Sequence, residues 1–110
     1  MNSGGLLLKR VPALLALVSF CVFAEQTHEI SIEKYTFTPS EVSIRVGDTV
    51  KWVNREKRTS HSVLFPAEGG RESERMFPDE SWQRQFTQAG RYPYTCGPHP
   101  EMKGLIVVSE

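Results

Sequence analysis

The sequence predicts an all-β protein, an antiparallel Greek-key β-sandwich of about seven to eight strands. Apolar residues recur at every second position, as they do in half-buried strands. Turn residues interrupt the alternating runs roughly every eight to twelve residues, a spacing typical of β-sandwiches. No segment after residue 24 shows a convincing helical periodicity.

Seven runs of residues are predicted to form the strands. Most carry their apolar side chains on one parity, and Trp52 is available to fill a small core. The final run is apolar throughout, which predicts a strand buried on both faces. Residues 66–80 are rich in charge and contain Gly69-Gly70, so we expect a solvated connection with one helical turn at most. The predicted strands cover residues 29–33, 42–46, 50–53, 60–65, 81–86, 91–96 and 104–108.

Strand parity directs one histidine and one cysteine toward the core. His61 shares its parity with Val63 and Phe65, and Cys96 shares its parity with Tyr94. Because alternate residues of a strand lie on the same face, both side chains are expected to point inward.

A metal-ligand set follows from the spacing around the last predicted turn. Cys96, His99 and Met102 fall at offsets of three and six, and His61 supplies a second imidazole from another strand. Two histidines, a cysteine thiolate and a weak axial methionine are the ligands of blue-copper electron-transfer sites. We therefore predict one copper ion, cycling between Cu(II) and Cu(I). Pro98 and Pro100 fix the backbone on both sides of His99, which limits rearrangement of the loop.

Residues 1–24 have the pattern of a signal peptide. Lys9 and Arg10 precede an apolar run of about 14 residues, too short to span a membrane, and small residues precede a cleavage site after Ala24. The predicted mature protein, residues 25–110, is a periplasmic domain with no membrane span. A lipid anchor at Cys21 is the alternative, although the preceding Phe20 is large for that pattern.

The composition excludes some partners. The whole chain has 13 basic and 13 acidic residues, and removal of Lys9 and Arg10 leaves 11 against 13. This slightly negative balance gives no indication of nucleic-acid binding. Cys96 is then the only cysteine, which favours a role as a ligand in an oxidising compartment. We expect the domain to be a monomer.

The chain resembles the cupredoxins, the small blue-copper family that includes plastocyanin, pseudoazurin and amicyanin. The interval from His99 to Met102 is short, as in amicyanin. The resemblance implies a single type 1 copper and transfer of single electrons between periplasmic partners that dock near His99. It covers nearly all of residues 25–110 and rests on His61 and on the pattern Gly90-x-Tyr92-x-Tyr94-x-Cys96-x-x-His99-x-x-Met102-x-Gly104.

Two positions depart from the family pattern. Ser62 stands where asparagine is usual, and it is our candidate for a hydrogen bond to the Cys96 loop. Glu101 stands where amicyanin-like loops carry an apolar residue, which argues against the amine-dehydrogenase partner of amicyanin. Met76, in the charged connection, and His28, expected to be solvated, are the other candidate metal contacts.

Four other interpretations remain open. Taken singly, Cys96, Met102 and His61 could be ordinary core residues. A periplasmic copper-binding or delivery protein would use a more open site with additional Met or His clusters. A copper enzyme would need further copper centres, which a chain with three histidines cannot supply. A zinc protein is disfavoured because thioether is a poor zinc ligand.

Overall fold

A computed structural model describes residue 17 and residues 23–110 of the chain, so the predicted signal peptide lies almost wholly outside the described residues. Residues 23–110 contain nine strands and one short 3-10 turn at Pro66–Glu68. None of the described residues belongs to a helix that is long and apolar enough to cross a membrane. The strands are β1 (Thr27–Glu33), β2 (Thr36–Thr38), β3 (Glu41–Arg45), β4 (Thr49–Asn54), β5 (Leu64–Phe65), β6 (Arg71–Glu72), β7 (Ser81–Gln85), β8 (Gly90–Thr95) and β9 (Lys103–Ser109).

Two sheets form the sandwich, which confirms the predicted fold class. One sheet has the order β2-β1-β4-β7 and the other β3-β9-β8-β5-β6. Two pairs, β1 with β4 and β3 with β9, are parallel, so the prediction of wholly antiparallel sheets was wrong. The chain moves from the first sheet to the second between β2 and β3 and returns for β4, which therefore runs in the same direction as β1. Alternation in the sequence reports the buried face of a strand but not the direction of its neighbour.

The core is aromatic and centres on Trp52, as predicted. Trp52 is fully buried, and its ring centroid lies 5.4 Å from that of Tyr94 and 5.4 Å from that of Trp82. Phe37 and Phe65 also pack on Tyr94. Burying one such side chain contributes about 1.5–3 kcal/mol to folding, so this cluster is a principal source of stability in a small domain.

The connection between β5 and β7 is more ordered than the sequence predicted. β6 pairs with β5, and Met76 is buried with only 2% of its surface exposed. Backbone hydrogen bonds join His61 and Met76 in both directions, at 3.0 and 2.8 Å. The prediction of a solvated connection is thus wrong for this part, because two adjacent apolar residues, Met76 and Phe77, in a charged segment form no periodic pattern. His61 also lies before β5 rather than within a strand.

Three smaller predictions need correction. β4 extends to Asn54, which is fully buried, whereas the predicted strand ended at residue 53. β3 ends at Arg45, and Val46 is exposed. β9 is not buried on both faces, because only Ile106 and Val108 on one parity are fully enclosed.

Asp48 ties the start of β1 to the turn before β4. Its carboxylate accepts hydrogen bonds from the backbone N–H groups of Gln26, at 2.9 Å, and Arg45, at 3.2 Å. His28 Nε2 lies 2.9 Å from the same carboxylate, so the prediction that His28 is merely solvated was wrong. The hydrogen bond from Gln26, followed by those from His28 and Arg45, lowers the pKa of Asp48.

We expect Asp48→Asn to lower the Tm at neutral pH, because one oxygen of the acceptor becomes a donor. A lowered pKa means that this stabilisation is complete above the unfolded-state pKa of about 3.9 and is lost as the pH falls through the folded-state value. The Tm difference between the two proteins should therefore shrink under acid conditions. Thermal melts over a pH series test this, with the exposed Glu41→Gln on β3 as the control. A Tm difference that stays constant with pH would contradict it.

Candidate metal centre

The ends of neighbouring strands bring the predicted site residues together. Cys96 follows the last residue of β8, and the loop that carries His99 leads into β9. Within this loop Met102 N–H donates to the carbonyl of His99 at 2.9 Å, and Cys96 N–H donates to the carbonyl of Met102 at 3.2 Å. With prolines on both sides of His99, these bonds close the loop into a compact turn.

Three donor atoms converge at this turn. Cys96 Sγ lies 3.6 Å from His61 Nδ1 and 3.4 Å from His99 Nδ1, and the two Nδ1 atoms are 3.2 Å apart. Cys96 and His61 are completely buried, and His99 is half-buried. Among the described residues, this trio is the cluster of histidine, cysteine and acidic side chains able to hold a metal ion.

The size of this triangle fits a metal ion. A point equidistant from its three corners lies about 2.0 Å from each, close to typical metal–imidazole distances of about 2.0–2.1 Å and slightly under the metal–thiolate distance of about 2.3 Å. A water molecule needs about 2.7 Å or more to each partner and does not fit at that point. Imidazole nitrogen and thiolate sulfur are donors that copper accepts in both of its oxidation states.

Met102 occupies a buried position in the same loop. Only 3% of its surface is exposed, and its backbone is bonded to both Cys96 and His99. The predicted role of its sulfur as an axial ligand stays a prediction.

Ser62 connects the His61 segment to the cysteine loop, as the sequence predicted. Its backbone N–H points at Cys96 Sγ at 3.4 Å, and its hydroxyl oxygen accepts a hydrogen bond from Gly97 N–H at 3.0 Å. Ser62 thereby holds the loop at two consecutive residues, Cys96 and Gly97. A hydrogen bond to the sulfur also stabilises its thiolate form.

Glu56 lies on the other side of the His61 ring. His61 Nε2 is buried and lies 3.5 Å from Glu56 Oε1, within ion-pair range but beyond good hydrogen-bond geometry. The same Glu56 oxygen accepts a hydrogen bond from Tyr35 N–H at 2.8 Å. A carboxylate facing the distal nitrogen of a ligating histidine is a common way to fix the ring orientation and its tautomer.

Tyr35 packs edge-on against both imidazoles. Its ring centroid is 4.9 Å from that of His99 and 5.4 Å from that of His61. The residue has a positive φ of 56°, an uncommon conformation for a bulky side chain, and its hydroxyl shares a 3.2 Å hydrogen bond with Thr59. Tyr35 therefore forms part of the partly exposed border of the site.

Burial shifts the pKa values of Cys96 and His61 in the directions that favour their neutral forms. It raises the pKa of the Cys96 thiol, and hydrogen bonds from Ser62 and His99 only partly oppose this effect. Burial also lowers the pKa of His61, and the nearby His99 ring lowers it further. At neutral pH the cysteine is a thiol and His61 a neutral imidazole ready to accept a metal.

Sequence reasoning missed Tyr35, Glu56 and Asn54, and also Glu72, whose carboxylate accepts a hydrogen bond from the Ser62 hydroxyl at 2.7 Å. Asn54 donates to the carbonyls of Thr59, at 2.8 Å, and Met76, at 2.9 Å, and so orders the segment that leads to His61. The sequence did contain a signal for Asn54. It follows Val50 and Trp52 at the same two-residue spacing, which predicts that its side chain also points into the core. The other three make contacts between distant segments, for which the sequence offers no local pattern.

Met76 and His28, the other two candidate metal contacts, have other neighbours in the structure. Met76 is buried and pairs with His61 through its backbone. His28 is engaged with Asp48. Neither was predicted to have these neighbours.

A Greek-key β-sandwich that gathers two imidazoles and one buried thiol where its strands end is the architecture of a cupredoxin, a small copper protein. Comparison with known proteins supports this class. The family model described as copper binding proteins, plastocyanin/azurin family, matches residues 24–109. The chain therefore belongs to the plastocyanin/azurin family of copper-binding proteins, and its cofactor is copper.

Several relatives are similar over most of the domain. Amicyanin from Paracoccus denitrificans is 39% identical over 83 residues, which cover 72% of this chain and 63% of that protein. Plastocyanin from Scenedesmus fuscus is 37% identical over 84 residues, covering 66% of this chain and 85% of that protein. A solved Cu(I) structure of an amicyanin mutant matches with a TM-score of 0.71 at 34% identity, covering 76% of this chain and 82% of that one. The chain thus spans less than two thirds of the length of the Paracoccus amicyanins.

We expect copper binding to release about one proton at neutral pH, because the metal must displace the proton of Cys96 while His61 is already neutral. Affinity for Cu(I) should accordingly rise by about tenfold per pH unit above neutral pH for as long as Cys96 of the metal-free protein remains a thiol. Competition titrations against a Cu(I) chelator under anaerobic conditions measure this slope. Cys96→Ser should bind more weakly and lose the slope, and a pH-independent affinity of the unaltered protein would reject the assignment.

Proposed function

We propose that this protein is a periplasmic carrier of single electrons, with one type 1 copper held by His61, Cys96, His99 and Met102 and with no substrate chemistry of its own. The observation that carries the proposal is the triangle of Cys96 Sγ and the two Nδ1 atoms, whose sides are 3.2–3.6 Å. A pair of imidazoles and a thiolate with a nearby methionine is the donor set of blue-copper electron-transfer sites.

The protein contributes a rigid donor set. When bound, copper supplies a one-electron couple between Cu(II) and Cu(I). Ser62 fixes the Cys96 end of the loop, and the hydrogen bonds among Cys96, His99 and Met102 fix its remainder. Donors that cannot move far keep nearly the same arrangement in both oxidation states, so little structural rearrangement accompanies electron transfer.

His99 is the proposed contact with redox partners. It is half-buried, unlike His61, and exposed Pro98, Pro100 and Glu101 surround it in sequence. One edge of its ring therefore reaches the surface while its Nδ1 faces Cys96. We propose that partner proteins dock around this edge, beside Tyr35, and that the protein works as a monomer. Glu101 places a negative charge at this contact, which would influence the choice of partner.

The expected signature is an intense visible absorption band on addition of Cu(II), arising from the Cys96 thiolate. Cys96→Ala should abolish the band, and His28→Gln, which alters a histidine bound to Asp48 instead, should retain it. Absorption spectroscopy of the purified proteins makes the measurement. Voltammetry of the coloured sample should show a reversible one-electron wave.

Two outcomes would contradict the proposal. A colourless copper complex would show that the thiolate does not bind Cu(II) as a type 1 ligand. A metal that passes to a mild chelator within minutes, with no reversible wave, would favour copper delivery instead.

Export is proposed to remove residues 1–24. Expression of the full chain in a bacterium should give a periplasmic protein that begins at Glu25, as measured by intact-mass spectrometry. Ala24→Leu should block processing because the cleavage site needs a small residue, whereas Gln26→Leu should be processed normally. A mature protein that begins at Cys21 and carries lipid would contradict this cleavage site.

A further inference from the structure

The Ser62 hydroxyl makes two hydrogen bonds beside the metal centre. Its oxygen lies 3.0 Å from Gly97 N and 2.7 Å from Glu72 Oε2. Gly97 N–H is a donor, whereas an ionised carboxylate can only accept, so the single hydroxyl proton must point toward Glu72. That orientation leaves an oxygen lone pair facing Gly97. Glu72 thus determines which way the hydroxyl points.

Glu72 reaches this position through sheet register. It lies opposite Leu64 across the β5–β6 pair, and Leu64 also pairs with Thr95 of β8. Ser62 is two residues before Leu64, and Gly97 is two residues after Thr95, so the side chains of Ser62 and Glu72 meet the Gly97 N–H where these strands end.

The next residue anchors this hairpin to the Ser62 segment. Ser73 N–H donates to the carbonyl of Val63 at 2.8 Å, and Ser73 Oγ accepts a hydrogen bond from Val63 N–H at 2.9 Å. The backbone that carries Glu72 is consequently fixed relative to Ser62, although the glutamate itself is largely exposed.

Gly97 leaves the space that the carboxylate uses. A side-chain carbon added at residue 97 would overlap Glu72 Oε2 and crowd the Ser62 oxygen. The carboxylate therefore packs directly against the backbone of the residue that follows Cys96.

We propose that Glu72 is a positioning residue for the metal centre: through Ser62 it holds the Cys96-Gly97 segment in place. The proposal rests on the proposed copper site but assigns a role to a residue outside the ligand set. Ser62 stands where the family usually has asparagine, and its hydroxyl is shorter than an amide side chain. Without a partner this hydroxyl would rotate freely. The hydrogen bond to Glu72 of β6 fixes its orientation, so that its oxygen faces Gly97 N–H. The negative charge of Glu72 also lies near the site and favours the more positive oxidation state of the metal.

The direct test is amide hydrogen exchange of Gly97, followed by NMR in the Cu(I)-loaded and the metal-free protein. Glu72→Ala should accelerate this exchange by about fivefold, as expected for the loss of one net hydrogen bond. Glu72→Gln keeps an acceptor for Ser62 and should largely retain the protection. Ser62→Ala should accelerate exchange to a similar extent, and adding Glu72→Ala to it should produce no further change, because both substitutions break the same link.

A second readout is the reduction potential, which a purely structural contact would leave unchanged. Glu72→Ala and Glu72→Gln both remove the charge and should both shift the potential upward. Glu74→Ala is the matched control, since it removes the same charge from the same segment, while the recorded hydrogen bond of the Ser62 hydroxyl in the described structure goes to Glu72 and not to Glu74. Exchange at Ile106, in the centre of β9, verifies that each variant remains folded.

The proposal is overturned if Glu72→Ala leaves Gly97 exchange unchanged, if Glu74→Ala has equal effects, or if the effects of Ser62→Ala and Glu72→Ala add. Failure of the proposed electron-carrier function would look different. In that case the exchange pattern of the metal-free protein would be as expected, but the copper-loaded protein would show no reversible voltammetric wave.

Discussion

The structure depends on holding three donor atoms 3.2–3.6 Å apart although one of them, on His61, comes from a distant part of the chain. His61 and Cys96 are separated by 35 residues, yet their donor atoms lie 3.6 Å apart. No local turn can produce that proximity. It arises because β5 pairs with β8, so that the segment before one strand meets the segment after the other. The metal site is therefore a consequence of sheet topology.

Packing gives this arrangement its stiffness. The aromatic cluster around Trp52 and Tyr94 fixes the two sheets, and close-packed interiors resist small displacements. Tyr94 precedes Cys96 by two residues on β8 and shares its inward direction. The buried Tyr94 side chain thus fixes the end of β8, and with it the position of Cys96. Of the three donors, only His99 is half-buried rather than enclosed.

The sequence was sufficient for the fold class, and it singled out His61, Cys96 and His99, whose donor atoms lie together in the structure. Alternation revealed the strands, and offsets of three and six revealed the ligand loop. Other features had no local signature. The parallel pairing of β1 with β4 depends on the path between the sheets, and the burial of Met76 depends on its partner His61. Glu72 appeared to be one charge in a polar connection, and only the register of β6 reveals its contact with Ser62.

The shortness of β6 has a consequence for how the molecule meets other proteins. This strand is only two residues long, both charged, and it forms one border of its sheet. An uncovered border with free backbone groups is a template for adding strands from other chains, and brevity and charge prevent that. The border lies on the same side of the molecule as the cysteine loop. A protein that approaches this border therefore meets two charged side chains instead of a long row of free backbone groups.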